Sequence, residues 1–462
     1  MILPDSVLTA LKRARVPVSS ISIIIEKIGD RKPIIEWNAD RNMIPGSTIK
    51  LITTYSGLSL LGPDFRWKTS VFTDGIVDSY GTLHGNLIIK GTGDPKLVQE
   101  ELIDLIQSIR KLGIINITKN IVLEKGYFSK STHELPPFDN NVSAPYNVGP
   151  DPLMYSFKTV SFKVTPCSSG TIIISALPKL SNLLIKNNLV EDVSSCDDTD
   201  ISSAKPKLTL DRNGKLIASF NGNYSLYCGS HTTNIAALDH SEFFARGFLA
   251  IWYQLGGSFN GDIIVKSSSK LSPMARLISV HYSPTLHSII NDINKFSNNV
   301  MARNLFLTIG TINGHVPATV KQSKHVIYEF IKKGRIKIRD LCIENGSGLS
   351  RNERISARSL AEVLQKAKVS PIGQIFEESL PIAGVDGTMK HRFTKADVLG
   401  GNVHIKTGTL HDVRAIAGYV MTADKSNYVI VSFINDIHAK IARSVHDELI
   451  RWILSLHCRK TN

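Results

Sequence analysis

The chain has 462 residues, of which 42% are hydrophobic and 20% are charged. This composition supports large buried cores and excludes disordered, collagen-like and coiled-coil proteins. The net charge of +14 favours anionic partners such as nucleic acid, an acidic polymer or a membrane surface, although a solvated basic surface explains it equally well.

The N-terminal region predicts a β-hairpin followed by a helix. Two apolar runs flank a charged turn within residues 21–40, which indicates the hairpin. A helix is predicted over 47–61, after Pro45-Gly46. No segment is apolar for long enough to cross a bilayer, and the first residues lack the pattern of a signal peptide. We therefore expect either a cytosolic protein or the mature form of an exported one.

The middle of the chain differs from its ends in composition and in the pattern of predicted elements. Residues 66–157 mix short strands with one helix, and residues 158–230 carry short strands in Ser-, Thr- and Asn-rich sequence, which is typical of an all-β region. Three of the five cysteines lie in that second stretch, and no C-x-x-C occurs, so zinc and thioredoxin-like sites are excluded. One disulfide among these three or buried free thiols both remain open.

Three strands and a helix are predicted at the C-terminal end. The strands cover residues 402–410, 413–423 and 427–436, and the helix covers about 439–457. Together with the hairpin they supply five strands for one sheet. The sequence thus predicts an α/β multidomain protein whose main domain is interrupted by a large insertion. The predicted domains are a discontinuous main domain (1–65 and 266–462), an inserted α/β domain (66–157 and 231–265) and an inserted all-β domain (158–230).

Ser47 and Lys50 form an S-x-x-K pattern at the start of a predicted helix. A spacing of three places the hydroxyl and the amine on one helical face. The helix N-terminus also directs backbone N–H groups toward a developing oxyanion. Ser108, Ser202 and Ser267 begin the same pattern, but only Ser47 opens a helix after Pro-Gly. Taken alone, a helix-capping serine and a surface lysine would explain the pattern as well.

Two further motifs follow. Ser297 and Asn299 form an S-x-N pattern that is common in this chain and carries little weight alone. Lys406-Thr407-Gly408 occurs once, inside an apolar strand where an unpaired lysine is costly. The alternative is an edge-strand lysine that points to solvent.

In this order, on a helix, a helical connection and a strand, the three motifs resemble those of penicillin-recognising serine enzymes. The flanking sequences are similar to those of class C low-molecular-mass penicillin-binding proteins, the D-alanyl-D-alanine carboxypeptidase/endopeptidases of the bacterial periplasm. They are GNLIIKGTGDP (85–95), HYSPTLHSIINDINKFSNN (281–299), ENGSGLSR (344–351) and LPIAGVDGTMKHRF (380–393). The resemblance covers nearly the whole chain and is weakest over 158–230. It implies a β-lactamase/transpeptidase-like domain, with a five-stranded antiparallel sheet and helices on both faces, and a periplasmic location after export.

The resemblance also implies roles for five residues. Ser47 is expected to form the acyl-enzyme with Lys50 as its base. Because lysine is protonated at neutral pH, its pKa must fall, and burial beside the second cation Lys406 would achieve this. Ser297 is expected to relay a proton to the leaving amine, and Asn299 to orient the acyl chain and hold Lys50.

The same resemblance predicts the substrate-binding residues. Lys406 and Thr407 would bind the terminal carboxylate, and Gly408 would let the substrate lie against the strand. The oxyanion hole would combine the backbone N–H groups of Ser47 and Thr409. Arg351 either anchors an acidic group of the stem peptide or forms a structural ion pair.

The expected partners are stem peptides ending in D-Ala-D-Ala and β-lactam antibiotics, with no cofactor and no metal. No glutamate motif resembles the deacylating residue of class A β-lactamases, so a β-lactam should trap Ser47 as a long-lived ester. Neither a nucleic-acid motif nor a transmembrane anchor is recognised, and a homodimer is left open. The alternatives are a β-lactamase or ester hydrolase on the same scaffold, or a non-catalytic peptidoglycan-binding module.

Overall fold

The computed structural model describes residues 3–30, 32–132, 137, 139–167, 170–268, 270–393 and 402–456. The chain forms two compact units. The first unit combines Met1–Arg66 with Pro284–Asn462, and the second is Trp67–Ser283. Within the described residues, no helix combines the length and the apolar character needed to traverse a membrane.

An antiparallel sheet of five strands organises the first unit. Its order is Ile35–Trp37, Ile21–Lys27, Asn427–Asn435, Val413–Met421 and Val403–Leu410. Adjacent strands all run antiparallel, and Ile23 lies opposite Ser432 where the two ends of the chain meet. The N-terminal hairpin and the three C-terminal strands therefore share one sheet.

Helices cover both faces of this sheet. Alternate residues such as Ile23 belong to a core shared with helices Asp5–Arg13 and Arg443–Leu454. The opposite face meets helix Ala357–Lys368, to whose Leu364 carbonyl oxygen the buried Tyr419 hydroxyl donates a hydrogen bond of 2.8 Å. This alternation follows from the period of two along a strand.

Helix Lys50–Leu61 is buried around its first nine residues, from Lys50 to Leu58. It follows a short 3₁₀ turn, Gly46–Ile49, and stops at Gly62, whose φ of +83° suits glycine. A helix buried on all sides needs neighbours on all sides. Among the described residues, the other α-helices of the unit are Leu286–Lys295, Asn299–Ile309, Val320–Lys333 and Gly373–Glu378. Strands Asn42–Met43 and Ile355–Ser356 form a two-stranded ribbon.

The second unit combines mixed sheets of five and four strands with two three-stranded sheets. The larger mixed sheet has the order Ile263–Lys266, Ile121–Glu124, Leu87–Gly91, Lys68–Thr73 and Arg276–Tyr282. The smaller has the order Ser258–Phe259, Asn116–Ile117, Thr82–His84 and Ile76–Val77. The three-stranded sheets contain Ile172–Leu177, Thr159–Pro166 and His231–Ala236, and Leu183–Asp192, Leu216–Ser225 and Lys207–Leu210. The unit's α-helices are Gln99–Lys111, Asp198–Ser203 and His240–Gln254.

The boundaries of the insertion differ from those predicted. The predicted main domain resumes at residue 266, whereas the second unit continues to Ser283. The reason is that strand Arg276–Tyr282 pairs with Lys68–Thr73 and so completes a sheet of the second unit. The end placed at residue 230 likewise separates His231–Ala236 from the strand with which it pairs, Thr159–Pro166. The division of the insertion into an α/β and an all-β domain stays a prediction.

Two strands of the central region lack the apolar alternation that marks a strand in sequence. Strand Leu183–Asp192 has its apolar residues in two blocks separated by Lys186, Asn187 and Asn188, and strand His231–Ala236 contains few apolar residues. Cys196 and Cys228 form a disulfide, whereas Cys167 is free and half-buried. The disulfide alternative for the central cysteines is thus the correct one.

Candidate active site

Ser47 and Lys50 face each other at the start of a buried helix. Ser47 lies in the turn that precedes the helix and is partly exposed, whereas the Lys50 side chain is completely buried. The separation of one turn brings Lys50 Nζ within 3.0 Å of Ser47 Oγ. A hydroxyl open to solvent on one side and to a buried amine on the other can exchange a proton with that amine.

Two more oxygen atoms hold the Lys50 amine. Nζ donates a hydrogen bond of 2.6 Å to Asn299 Oδ1, at the start of helix Asn299–Ile309, and another to the backbone carbonyl oxygen of Ser347. Together with Ser47 Oγ, these partners are all neutral oxygens. In the part of the chain that the structure describes, no carboxylate oxygen lies within ion-pair distance of Nζ.

The surroundings of Lys50 disfavour its charged form. Burial lowers the pKa of Lys50 well below its usual value, and the positive charge of Lys406 lowers it further. Arg303 acts in the same direction, whereas the negative charge of Glu353 opposes the change. The amine is thereby made available as a base at a pH where an exposed lysine would be protonated.

Lys406 is the second buried amine of the site. Its strand, Val403–Leu410, lies at the edge of the sheet, but its side chain is completely buried. The alternative of an edge lysine pointing to solvent is therefore wrong. Nζ donates hydrogen bonds of 2.8 Å each to Ser297 Oγ and to the Thr407 carbonyl oxygen. Burial lowers the pKa of Lys406 to about 7, so it can gain or lose its charge near neutrality.

Ser297 has a left-handed backbone conformation, with a φ of +57°. It lies in the short connection between helices Leu286–Lys295 and Asn299–Ile309. Asn298 caps the second helix by accepting a hydrogen bond of 3.1 Å from the Met301 N–H. A non-glycine residue pays roughly 1–2 kcal/mol for this conformation. Such strain occurs preferentially at functional sites, and here it accompanies the contact of Ser297 Oγ with Lys406.

The strand that carries Lys406 passes directly beside the turn that carries Ser47. A Cβ atom on Gly408 would lie 2.7 Å from the Pro45 carbonyl oxygen and 3.0 Å from the Ser47 amide nitrogen. A Cβ atom on Gly46, whose φ is +51°, would lie 3.4 Å from the Thr409 amide nitrogen. Only glycine at 408 permits this approach. The amide nitrogens of Ser47 and Thr409 consequently lie near each other.

The other predicted substrate-binding residues have protein partners. Thr407 Oγ1 lies 2.9 Å from Thr388 Oγ1. Thr409 is exposed, and its hydroxyl accepts a hydrogen bond of 2.9 Å from Arg414. Arg351 forms an ion pair with Asp412, just beyond the strand. The structure thus provides the ion pair that the sequence offered as an alternative for Arg351.

Sequence reasoning missed several groups around Lys50. They are the Ser347 carbonyl oxygen, Arg303 and Glu353. Arg303 follows Asn299 by four residues and therefore lies on the same face of its helix, a signal that could have been used. A backbone carbonyl has no signal in sequence, because every residue carries one.

The described residues contain one cluster with the spacing of metal ligands, Cys196, Asp200 and Cys228. The two sulfur atoms are joined in a disulfide, so they cannot serve as thiolate ligands.

An antiparallel sheet between helices, a serine and a lysine at a helix start, and a Lys-Thr-Gly strand beside them define the class of penicillin-recognising serine enzymes. A model of the D-Ala-D-Ala carboxypeptidase 3 (S13) family matches residues 4–456 of the chain. The chain belongs to this family. It is a serine-type D-Ala-D-Ala carboxypeptidase, and its predicted place among the class C low-molecular-mass penicillin-binding proteins is confirmed.

Individual relatives agree with this assignment. The D-alanyl-D-alanine carboxypeptidase DacB of Haemophilus influenzae is 24% identical over 433 residues, which cover 92% of this chain and 88% of the relative. The crystal structure of penicillin binding protein 4 from the same organism has a TM-score of 0.76 at 22% identity and covers 97% of this chain and 100% of its own. Its complex with a β-lactam has a TM-score of 0.71 at the same identity and coverage.

A more distant likeness is to a predatory peptidoglycan endopeptidase from Bdellovibrio bacteriovorus. The TM-score is 0.52 at 15% identity, over 95% of this chain and 92% of the other. At such identities these structures show a shared fold.

Proposed function

We propose that the enzyme releases the terminal D-alanine of peptidoglycan stem peptides through an acyl-Ser47 intermediate, with Lys50 as the base. The arrangement of the Lys50 amine carries this proposal. A neutral amine has two hydrogens and one lone pair. If it donates its hydrogens to Asn299 Oδ1 and the Ser347 carbonyl oxygen, its lone pair remains for the Ser47 hydroxyl at 3.0 Å. Ser47 can then lose its proton as it attacks the carbonyl carbon of the penultimate D-alanine.

The amides of Ser47 and Thr409 would stabilise the oxyanion that forms in this attack. Their proximity beside Gly408 supports the assignment. Ser297, held by Lys406, would donate its hydroxyl proton to the leaving amine and take up the proton that Lys50 received from Ser47. Water then hydrolyses the acyl-enzyme and restores Ser47.

The terminal carboxylate would bind Lys406 and Thr407. Burial keeps the pKa of Lys406 near 7 in the free enzyme, and a bound carboxylate would favour the charged amine. Arg351 is already paired with Asp412, so an acidic group of the stem peptide would have to share its guanidinium. Two acidic groups would then compete for one guanidinium, so its contribution to binding should be small.

We further propose that the enzyme cleaves D-alanyl cross-links in peptidoglycan, acts in the periplasm and is acylated by β-lactams. The Haemophilus relative has been crystallised with a β-lactam, and the Bdellovibrio protein of similar fold is an endopeptidase. The net charge of +14 suits an envelope rich in carboxylates and phosphates.

The test is the intact mass of the protein after incubation with benzylpenicillin. We expect a stable gain of one penicillin per chain, no gain with Ser47→Ala, and a normal gain with the control Ser59→Ala on the same helix. Labelling of Ser47→Ala would refute the nucleophile. If the wild type consumes the drug without a stable gain, the enzyme is a β-lactamase. If the drug survives and no gain occurs, the binding-module alternative is favoured.

Cross-link cleavage needs its own measurement. Purified cross-linked muropeptide dimers should be converted to monomers by the wild type and not by Ser47→Ala. Release of D-alanine from monomers without any cleavage of dimers would restrict the activity to carboxypeptidation.

A further inference from the structure

The loop over residues 344–350 is packed against the start of the nucleophile helix. The Ser347 carbonyl oxygen accepts a hydrogen bond from Lys50 Nζ, and the Gly346 carbonyl oxygen accepts one of 2.8 Å from Thr53 Oγ1. A Cβ atom on Gly348 would lie 2.1 Å from the Gly46 carbonyl oxygen. The position of this loop therefore controls where the Lys50 amine is held.

Glu353, whose carboxyl group is completely buried, forms hydrogen bonds to both ends of this loop. Its Oε1 atom accepts hydrogen bonds from the backbone N–H groups of Glu344, at 2.9 Å, and Asn345, at 3.1 Å. Its own N–H donates to Ser350 Oγ at 3.2 Å. Buried carboxylates that accept several backbone N–H groups order the segment that supplies them.

The charge of Glu353 also acts on the site. Burial raises the pKa of this carboxyl, while the two backbone N–H groups and the positive charge of Lys50 act in the opposite direction. The groups whose charges act on Lys50 are Lys406, Glu353 and Arg303, and Glu353 alone favours the protonated amine. Glu344, Arg303 and Tyr328 are the remaining titratable groups that interact with Glu353.

We propose that Glu353 is a positioning residue for the reaction at Ser47, which holds the 344–350 loop, and with it the Ser347 carbonyl oxygen, against Lys50. In addition, its negative charge favours the protonated amine of Lys50. This inference rests on the proposed function of Ser47 and Lys50. Glu353 is completely buried and hydrogen-bonds to the loop, so it acts on the reaction through other groups. It affects Lys50 through the position of the 344–350 loop and through the electrostatic field at the Lys50 amine.

Two variants separate its two contributions. Glu353→Gln keeps an oxygen that can accept the backbone N–H groups but removes the charge, whereas Glu353→Ala removes both. The measurement is the second-order rate constant for acylation by benzylpenicillin as a function of pH. Since Lys50 must be neutral, this rate rises with pH through the pKa of Lys50.

With Glu353→Gln, loss of the negative charge should lower the pKa of Lys50. The acid limb of the pH–rate profile, in which the rate rises as Lys50 loses its proton, should therefore move to lower pH by about half a unit or more. The plateau should stay within about threefold of the wild type, because the loop is still held. With Glu353→Ala, the plateau should fall by about tenfold or more, because the amine is no longer held in place.

Glu378→Gln is the control, since Glu378 is an exposed carboxylate of the same unit whose charge does not act on Lys50, and the acid limb of this variant should coincide with that of the wild type. An unshifted acid limb in Glu353→Gln would overturn the proposal even if Glu353→Ala fails to fold. A folded Glu353→Ala with the wild-type plateau would overturn it as well. If the wild type itself is not acylated, or is acylated at a residue other than Ser47, the proposed function has failed and not the role of Glu353.

Discussion

Both units of the molecule bury lysine side chains, but they surround them differently. In the second unit, Lys125 Nζ lies 2.6 Å from Asp151 Oδ2, and the two side chains are 7% and 1% exposed. In the first unit, Lys50 and Lys406 are completely buried and contact only neutral oxygens among the described residues.

The difference separates a structural charge from a reactive one. A carboxylate replaces much of the favourable interaction that an ammonium group loses when it leaves water. Lys125 has such a partner in Asp151, whereas Lys50 and Lys406 have lowered pKa values because, among the described residues, nothing of opposite charge compensates their burial at contact distance. Perturbed amines of this kind are typical of active sites.

The largest expected effect is that of Lys50→Met on acylation. Removing the base should reduce the rate of acylation by benzylpenicillin at least about 10⁴-fold, by analogy with the loss of one member of a catalytic set. The free energy of unfolding should be unchanged or higher, because no ion pair is broken. Stopped-flow acylation and urea unfolding measure the two quantities, with the exposed Lys366→Met as control. A large loss of stability would show that Lys50 is structural, as Lys125 is.

Lys125→Met should have the opposite profile. It removes the cation that lies 2.6 Å from the buried Asp151 carboxylate, which should cost about 3–5 kcal/mol of unfolding free energy. The double variant Lys125→Met/Asp151→Asn should recover part of that loss, since the charge is removed and the side chain can still accept from the Leu153 N–H. If Lys125→Met is as stable as the wild type, the ion pair with Asp151 does not stabilise the fold, and the contrast between Lys125 and the lysines of the first unit fails.

Lys406→Met should lower kcat/KM for D-alanine release by about 10²-fold, because a positive charge opposite the substrate carboxylate is lost. A peptide whose C-terminus is amidated should be affected less, because it loses only the support that Lys406 gives to Ser297. An equal loss with both peptides would exclude Lys406 from carboxylate binding.

The pH dependence of kcat/KM should reflect the protonation of both Lys50 and Lys406. Activity should fall at low pH, where Lys50 is protonated, and should also fall as pH rises past about 7, where Lys406 loses its charge. Because the two amines interact, the limbs belong to the pair. Lys406→Arg, which keeps its charge, should abolish the alkaline limb in a titration of peptide hydrolysis. An alkaline limb retained in that variant would assign it to another group.

Local patterns in the sequence were sufficient for part of the site. The spacing of Ser47 and Lys50 requires only a helix to bring them together, and Pro45-Gly46 marks where the helix begins. The sheet that joins both ends followed from five apolar strands in the order of the chain. The insertion boundary at Ser283 did not follow, because only pairing with strand Lys68–Thr73 assigns Arg276–Tyr282 to the second unit.

Amino-acid sequence by itself determined which groups can react: a serine and a lysine one turn apart, and a second lysine within a strand. Tertiary structure alone decided that both amines are buried, that the Ser347 carbonyl oxygen and Glu353 act on Lys50, and that Arg351 pairs with Asp412. The physical reason is that burial and electric fields are sums over neighbours from distant parts of the chain. The sequence gives each residue's type, whereas its pKa and its partners depend on residues that are distant in the chain.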